Sequence, residues 1–163
     1  PFRARVAIVG SEIDDPQLTK LIEGCGALVV SDRFCFGSTP GREVIELKDD
    51  EDALRQICLH VMEHSECARY ISDEKVLQRR VTADRLAKEY GAEGIIYEQM
   101  KYCDYWGFER ALASHIMHDE YGWPVLSIDR LYNNGNSGQL RTRVQAFVES
   151  LEIKRIHKEE GKA

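Results

Sequence analysis

Four short apolar runs, each followed by turn or polar residues, limit the folds that this chain can adopt. They are RVAIVG (5–10), ALVVSD (27–32), GIIYEQ (94–99) and PVLSID (124–129). Each run is nearly continuous in apolar residues, and the segments between the runs show helical spacing instead. Strands of this kind are buried on both faces. The sequence therefore predicts a parallel sheet that is covered by helices on both sides.

The segments between these runs predict five helices. One follows Pro16, a second opens at the acidic residues 49–52, two more span 73–90 and 106–121, and the last begins near Gln139. Apolar residues at turn spacing predict the face of each helix that packs on the sheet. In chain order they are Leu18, Leu21 and Ile22; Leu54, Ile57, Cys58 and Val61; Val76, Leu77, Val81, Leu86 and Ala87; Phe108, Leu112, His115 or Ile116 and Asp119; and Leu140, Val144, Phe147, Val148 and Leu151.

The alternation of strands and helices, together with right-handed crossovers, predicts the topology. We expect an α/β, doubly wound, flavodoxin-like fold with a four-stranded parallel sheet in the order 2-1-3-4, flanked by helices. The length of 163 residues favours a single α/β domain over residues 1–163. Because the chain starts at Pro1 rather than at Met, we expect it to be the C-terminal domain of a longer two-domain subunit.

Charge and hydropathy exclude several classes of partner. The net charge of −6 argues against non-specific binding to nucleic acid or to anionic membranes, which requires a basic surface. No apolar run approaches the roughly 18 residues of a membrane span, and no signal-peptide pattern opens the chain. A cytoplasmic location is therefore expected.

The loops that follow the strands predict where a ligand binds. In open α/β sheets, ligands bind outside the carboxyl ends of the strands. Sorting the loops by edge places Gly10-Ser11, Cys35, Cys103 and the loop 133–138 at that edge. The other cysteines, Cys25, Cys58 and Cys67, lie on or beside helices. Five cysteines without a CxxC pair indicate neither a disulfide framework nor a zinc ribbon.

Two possible metal sites compete. Cys35 and Cys103 are soft ligands suited to an iron–sulfur cluster, zinc or copper(I), but cluster sites usually have four cysteines. Spacing alone leaves open whether these two share a metal or are unrelated thiols. His60, His64 and Cys67 share a helix face if one helix runs through all three, and they form an alternative zinc site or a plain exposed face. His115 and His118 indicate packing and solvent contact.

Anion-binding signals are weak. Gly10-Ser11 after the first strand could cradle a phosphate. The chain has no GxGxxG and no GxxxxGK[ST] motif, so a Rossmann or P-loop nucleotide site is only weakly indicated. The helix start SGQLRTR (137–143) offers a capping serine with Arg141 and Arg143, and it is either an anion site or a solvated helix start. Trp106 and Phe108 are either helix-packing residues or a wall of a substrate site.

Three stretches together resemble the 2-hydroxyacyl-CoA dehydratase / benzoyl-CoA reductase family, including the 2-hydroxyglutaryl-CoA dehydratase D-component. They are RVAIVGSEIDDPQLTKLIEGCGALVVSDRFCFG (5–37), YEQMKYCDYWGFE (97–109) and PVLSIDRLYNNGNSGQLRTRVQAFVE (124–149). The resemblance covers about residues 5–152, with the motifs in the right order. It corresponds to the C-terminal domain of one of two related subunits.

The resemblance implies a 4Fe-4S cluster held by three cysteines. Cys35 and Cys103 match the family's ligand positions, and the third cysteine belongs to an upstream domain that shares the cluster. It also implies a heterodimer with a related second subunit, an ATP-hydrolysing iron–sulfur activator protein and a CoA-thioester substrate. In this interpretation Trp106 and Phe108 shield the cluster, and Arg141 and Arg143 are candidates for the CoA phosphates by position.

The family carries out two reactions. One is removal of water from a 2-hydroxyacyl-CoA through a ketyl radical, and the other is low-potential, ATP-coupled reduction of the aromatic ring of benzoyl-CoA. The CDYWGFE loop and the SGQLRTRVQAFVESLE helix are more similar to benzoyl-CoA reductase subunits, so an iron–sulfur subunit of that enzyme type is the prediction. A 2-hydroxyacyl-CoA dehydratase subunit is the first alternative. A non-enzymatic flavodoxin-like binding module is the second.

Overall fold

The structure is a computed structural model that describes residues 1–34, 38, 42–132 and 137–161. Within these residues four strands alternate with five helices. In chain order they are β1 (Ala4–Gly10), α1 (Gln17–Glu23), β2 (Ala27–Arg33), α2 (Ala53–His64), α3 (Asp73–Glu89), β3 (Gly94–Met100), α4 (Asp104–Asp119), β4 (Val125–Arg130) and α5 (Ser137–Glu160). The bounds of the four predicted strands differ from these by at most one residue at either end.

The four strands form one parallel sheet in the order β2-β1-β3-β4. The predicted strand order and the α/β, doubly wound, flavodoxin-like arrangement are confirmed. The central strands β1 and β3 are buried along most of their length, as their continuous apolar runs predicted.

Side-chain caps fix the starts of α2 and α3. The Asp52 carboxylate accepts a hydrogen bond from Arg55 N, and the Ser72 hydroxyl accepts one from Lys75 N. Each cap satisfies one of the amide groups that a helix start leaves unpaired. Both α4 and α5 begin two residues before their predicted starts, at Asp104 and Ser137.

One face of the sheet is covered by α1 and α5, and its buried core is apolar except at the carboxyl edge, where Glu98 and Arg130 lie on the same side as Ile96 and Ile128. The predicted inward residues of these helices are confirmed: Leu18, Ile22, Val144, Phe147, Val148 and Leu151 are buried, and Leu21 and Leu140 pack against them. A Cβ on Gly94 would lie 2.8 Å from Phe147 Cζ. Glycine at this position of β3 therefore allows α5 to pack closely on the sheet.

The other face is covered by α3 and α4, and here the predicted inward residues are partly wrong. Leu77 and Val81 of α3 are 56% and 43% exposed, while Arg79 is 3% exposed. In α4, Phe108 is 76% exposed, and the buried residues are Trp106, Glu109, Ala113 and Met117. The physical reason is a pair of charges: Arg79 Nη2 lies 2.7 Å from Glu109 Oε2, so both charges are buried between the two helices.

Helix α2 packs differently from the other helices. Its predicted apolar stripe is not buried, since no residue of α2 is buried within the described part of the chain. Leu54 and Val61 are 69% and 56% exposed.

A β-bulge interrupts the pairing of β1 with β2. Val6 pairs with Val29, but Ala7 pairs with Ser31, so Val30 is one extra residue in β2. Beyond the bulge Arg33 pairs with Val9, which belongs to the α3/α4 side of the core. Phe34 packs into the core on the α1/α5 side.

Candidate functional site

The candidate site lies at the carboxyl edge of the sheet, where the loops after the strands meet. Ser11 follows β1 and Cys103 follows β3 at this edge. Cys35 and residues 133–136 fall in the loops after β2 and β4 and lie outside the described residues. The prediction that Cys35 is a ligand therefore stays a prediction.

Cys103 is the N-cap residue of α4 and is partly buried. Its N–H donates to Met100 O at 3.1 Å, and this tight turn puts Tyr102 at a φ of 75°. Its carbonyl accepts hydrogen bonds from Gly107 N at 2.9 Å and from the Gln99 side-chain amide at 3.3 Å. The backbone thus holds the thiol at the start of a helix of 16 residues. The unpaired amides and the dipole of a helix start favour a negatively charged group.

Gly107 leaves room for the Gln99 side-chain amide. A Cβ at this position would lie 2.7 Å from Gln99 Nε2. Gln99 is in turn held by Arg110, whose Nε donates to Gln99 Oε1 at 2.9 Å and whose Nη1 donates to Ser127 Oγ at 2.6 Å. A chain of hydrogen bonds through Gln99 of β3, Arg110 of α4 and Ser127 of β4 therefore supports the Cys103 carbonyl.

Trp106 connects the Cys103 loop to the end of β2. Its ring is 2% exposed, and the Arg33 guanidinium carbon lies 5.7 Å from the ring centroid. Arg33 Nε also lies 2.5 Å from Glu66 Oε2, and Thr82 Oγ1 donates to Glu66 Oε1 at 2.7 Å. The cation–π contact holds Arg33, two residues before Cys35, against Trp106, three residues after Cys103. The ion pair with Glu66 fixes the Arg33 side chain in this position.

A buried polar network lies under the same edge. Ser11 Oγ donates to Glu98 Oε2 at 2.7 Å, Arg130 Nε donates to Glu98 Oε1 at 3.0 Å, and Glu98 is fully buried. Ser11 Oγ also accepts from Met100 N at 2.6 Å, and Arg130 Nη1 lies 3.3 Å from Asp15 Oδ2. The network joins the ends of β1, β3 and β4.

Burial raises the pKa of Glu98, and the hydrogen bonds from Ser11 and the charge of Arg130 oppose that rise. Arg130 Nη2 is buried and has no hydrogen-bond partner among the described residues. Its N–H groups are donors that the described network leaves unused. A carbonyl or anionic oxygen that reaches this edge can accept them.

Sequence reasoning missed Glu98, Arg130 and Arg33. The signal for Glu98 was present, since a carboxylate inside an otherwise apolar strand must find a partner when it is buried. Its partner, Arg130, comes from the end of another strand. No local pattern links the two residues.

Arg141 and Arg143 lie on the opposite side of the sheet from α4. Helix α5 packs on the α1 side, and a Cβ on Gly24 at the end of α1 would lie 3.7 Å from Arg141 Nη1. Arg143 Nη2 donates a hydrogen bond to Ser127 O of β4. The structure thus places one arginine against α1 and the other against an edge strand, and brings neither to the start of α4.

The alternative zinc set does not assemble as predicted. Helix α2 ends at His64, so Cys67 lies beyond the helix. Among the described residues, Cys67 does not group with His60 and His64 in a set of three candidate ligands. All three residues nevertheless line one cavity of about 400 Å³ between the end of β2, α2 and α3.

In the part of the chain that the structure describes, His115 and His118 of α4 join no group of candidate metal ligands. His118 Nδ1 lies 2.8 Å from Asp119 Oδ1 at an exposed position, and His115 is exposed. Within the described ranges, no helix combines the length and apolar character needed to cross a bilayer.

Comparison with known proteins agrees with the family resemblance. The protein named "Putative dehydratase subunit YjiM" of Escherichia coli (strain K12) is 26% identical over 152 residues, which are 91% of this chain and 38% of the relative. The chain thus spans well under half of the length of that curated relative. Residues 1–151 match the family described as 2-hydroxyglutaryl-CoA dehydratase, D-component. A chain that matches over nearly all of its length, on a doubly wound α/β fold, belongs to the 2-hydroxyglutaryl-CoA dehydratase D-component family.

Proposed function

We propose that this chain is the C-terminal, cluster-binding domain of an iron–sulfur subunit that acts on a CoA thioester. Membership of the 2-hydroxyglutaryl-CoA dehydratase D-component family supports a dehydratase-type enzyme subunit. In the proposal Cys35 and Cys103 hold a 4Fe-4S cluster together with a cysteine from an upstream domain of the same subunit.

The observation that carries the proposal is the contact between Arg33 and Trp106. The guanidinium lies 5.7 Å from the ring centroid across the carboxyl edge of the sheet. The strand order places β1 between β2 and β3, so without such a contact the two loops need not approach each other. This contact brings together the chain segments that flank the two proposed ligands.

The surroundings of Cys103 fit a cluster ligand. The thiol is partly buried at the start of α4, so it is shielded but accessible to a cofactor at the edge. Amide groups of a helix start favour the negative charge of a thiolate–cluster unit, and hydrogen bonds to sulfur and solvent exposure set the reduction potential of such a unit. Trp106 closes the site from the α3/α4 side.

When bound, the cluster supplies one-electron transfer at low potential. The residues of this chain have other tasks. In the proposal the hydrogen-bonded turn holds Cys103 in position as a ligand of the cluster, and Trp106 excludes water. Arg130 offers its unused N–H groups to an anionic or carbonyl oxygen at the edge. This assignment replaces Arg141 as the favoured basic group, because Arg141 lies beside Gly24 at the end of α1, just before the start of β2.

Two reactions are compatible with these roles. Dehydration of a 2-hydroxyacyl-CoA is favoured by the family and by the named relative. Reduction of the aromatic ring of benzoyl-CoA is the second candidate, and the similarity of the CDYWGFE loop to benzoyl-CoA reductase subunits supports it. In both reactions the subunit works with a related second subunit and receives electrons from an ATP-hydrolysing iron–sulfur activator.

Iron content tests the ligand assignment. The full-length subunit is purified without oxygen, together with its partner subunit, as wild type and as the Cys35→Ala, Cys103→Ala and Cys58→Ala variants. Cys58 is exposed on α2 and serves as the control. We expect Cys35→Ala and Cys103→Ala to lose most of the iron and of the visible absorption, while Cys58→Ala keeps both. Full iron retention in either edge variant contradicts the assignment.

Substrate choice separates the two reactions. The activated complex is offered benzoyl-CoA and a 2-hydroxyacyl-CoA in parallel, and products are identified by mass spectrometry. Formation of an enoyl-CoA alone identifies a dehydratase. Formation of a ring-reduced thioester identifies the reductase.

A further inference from the structure

Two histidines and a glutamate meet at the mouth of the cavity between α2, α3 and the end of β2. Each of Glu43, His60 and His64 contributes one candidate ligand atom, and these atoms all lie within 4.8 Å of one another. Glu43 and His64 are exposed and His60 is partly exposed, so an ion from solution can reach all three.

A hydrogen bond at one ring nitrogen of His64 leaves the lone pair of the other nitrogen available to a metal ion. Its Nδ1 lies 2.9 Å from His60 O. A carbonyl oxygen only accepts, so Nδ1 carries the proton, and Nε2 of the neutral ring carries the lone pair. Metal-binding histidines in proteins commonly have their second nitrogen fixed in this way. The His64 ring also stacks on the His60 ring, with 4.1 Å between centroids.

The lone pair of His64 faces a carboxylate. His64 Nε2 lies 3.6 Å from Glu43 Oε2. Two acceptors at this distance need a positive charge, which is either a second proton on the ring or a metal ion between them. In a tetrahedral zinc site with bonds of about 2.1 Å, ligand atoms lie about 3.4 Å apart. The observed separation is close to this value.

The charges of the surrounding cavity do not oppose a cation. Its arginines are each close to a carboxylate, which lowers the local positive potential. The pairs are Arg33 with Glu66, Arg42 with Asp32, and Arg85 with Glu89.

We propose that Glu43, His60 and His64 form a binding site for one zinc ion, separate from the cysteines at the sheet edge. Two imidazoles and one carboxylate are a common zinc ligand set, with the fourth position left to water. The site replaces the set His60, His64 and Cys67 that the sequence predicted, because the helix ends before Cys67 and Glu43 takes the third position.

The zinc ion would join α2 to the segment that precedes it. No residue of α2 is buried within the described chain, so apolar packing holds this helix weakly. Glu43 precedes the helix, while His60 and His64 lie in its last two turns. A shared ion links the two ends of this region, and binding to the folded state alone stabilises it.

Zinc titration tests the proposal. The full-length subunit, treated with a chelator that leaves the iron in place, is titrated with Zn²⁺ by calorimetry. The same protein is titrated with Co²⁺, whose visible spectrum reports tetrahedral coordination. We expect one zinc equivalent per subunit. In His60→Ala and His64→Ala, and in Glu43→Gln, we expect affinity at least tenfold weaker, a fall comparable to that seen when a metal site loses a supporting group.

Two further variants keep the result decisive. His118→Ala removes a histidine that also lies beside a carboxylate, and it should bind zinc as the wild type does. His60→Cys supplies a different zinc ligand at the same position and should restore binding that His60→Ala loses.

Three results would overturn the proposal. They are absence of zinc binding, unchanged affinity in the histidine variants, and loss of binding in Cys67→Ala alone. Since iron is measured separately, none of them bears on the cluster assignment.

Discussion

The two faces of the sheet differ in the kind of side chain that is buried against them. On the α1/α5 face the buried cluster is made of apolar side chains such as Ile22, Val144 and Val148. On the α3/α4 face apolar residues share the interior with charged side chains, among them Arg79, Glu109 and Arg33. The α1/α5 face thus has a buried ion pair, Glu98 with Arg130, only at its carboxyl edge, whereas on the α3/α4 face buried charges lie between the helices themselves.

The buried ion pairs of the α3/α4 face hold chain segments near Cys103 and Trp106 more than they stabilise the domain. Buried ion pairs contribute little net stability compared with apolar residues of similar volume, because removing two charges from water is costly. Here the ion-paired side chains hold neighbouring chain segments in place. Arg79 Nη1 donates to the carbonyl of Tyr70 at 2.7 Å and to that of Cys67 at 3.4 Å, and so holds the segment after α2. The α3/α4 face, which has these buried charges, is the one that carries Cys103 and Trp106.

Breaking the buried ion pair is expected to have the largest effect. Glu109→Ala leaves the Arg79 guanidinium, whose side chain is 3% exposed, without its carboxylate. A loss of about 3–5 kcal/mol in the free energy of unfolding is expected, because one buried charge is left uncompensated. Urea denaturation of wild type and variant measures it.

A surface ion pair on α3, the helix that carries Arg79, is the control. Arg85 and Glu89 lie 3.5 Å apart with side chains that are 62% and 53% exposed. Glu89→Ala should cost less than about 1 kcal/mol. Equal losses in the two variants would show that burial does not distinguish the two pairs.

The apolar face is tested by making a cavity. Ile22 is fully buried between α1 and the sheet. Ile22→Ala should lower the free energy of unfolding by about 2–5 kcal/mol, because transfer energy and packing are both lost. Ile22→Val, measured in the same urea experiment, should cost only about 0.5–1.5 kcal/mol. If both variants cost the same small amount, this face is loosely packed.

The pH dependence of stability tests the buried carboxyl of the site. Burial raises the pKa of Glu98 above that of the unfolded chain, so the folded state binds this proton more tightly. The resulting stabilisation is complete below the unfolded pKa of about 4.3 and is lost as the pH rises through the folded pKa. Glu98→Gln removes this contribution. We therefore expect wild type to lose stability relative to Glu98→Gln as the pH rises from 4 in urea titrations. The opposite trend would mean that Arg130 outweighs burial.

The smallest effect is expected where the sequence predicted burial and the structure shows exposure. Leu77 of α3 is 56% exposed, whereas Leu86 of the same helix is 5% exposed. Leu77→Ala should change the free energy of unfolding by no more than about 0.5 kcal/mol, and Leu86→Ala should cost about 2–5 kcal/mol. A large loss in Leu77→Ala would point to a structure in which α3 is rotated on the sheet.

The fold could be predicted from the sequence because its signals are local. The four apolar runs identified the strands, and the crossover rule then fixed their order. The faces of α1 and α5 followed from apolar spacing alone, since the residues with which these two helices join the buried cluster are apolar. Spacing failed for α3 and α4 because it counts apolar residues and ignores a buried arginine whose partner is 30 residues away.

The site could be predicted only in outline. The rule that ligands bind at the carboxyl ends of the strands brought Cys103 to the correct edge. The network of Ser11, Glu98 and Arg130 depends on contacts between three strands, and no single stretch contains it. The exchange of Cys67 for Glu43 depended on where α2 ends, which apolar spacing does not determine.

The extra residue in β2 decides which side of the molecule Arg33 serves. Side chains of a strand alternate between faces, so every residue beyond Val30 lies on the face opposite to the one that an unbroken strand would give it. If the same residues, Val30 included, ran as an unbroken strand, Arg33 would point into the apolar layer under α5, and Phe34 would lie on the side of Trp106. Deletion of Val30 would therefore straighten β2 and still leave Arg33 paired with Val9 on the side of Trp106, so the bulge is what lets a strand that is one residue longer keep a cation beside the proposed cluster.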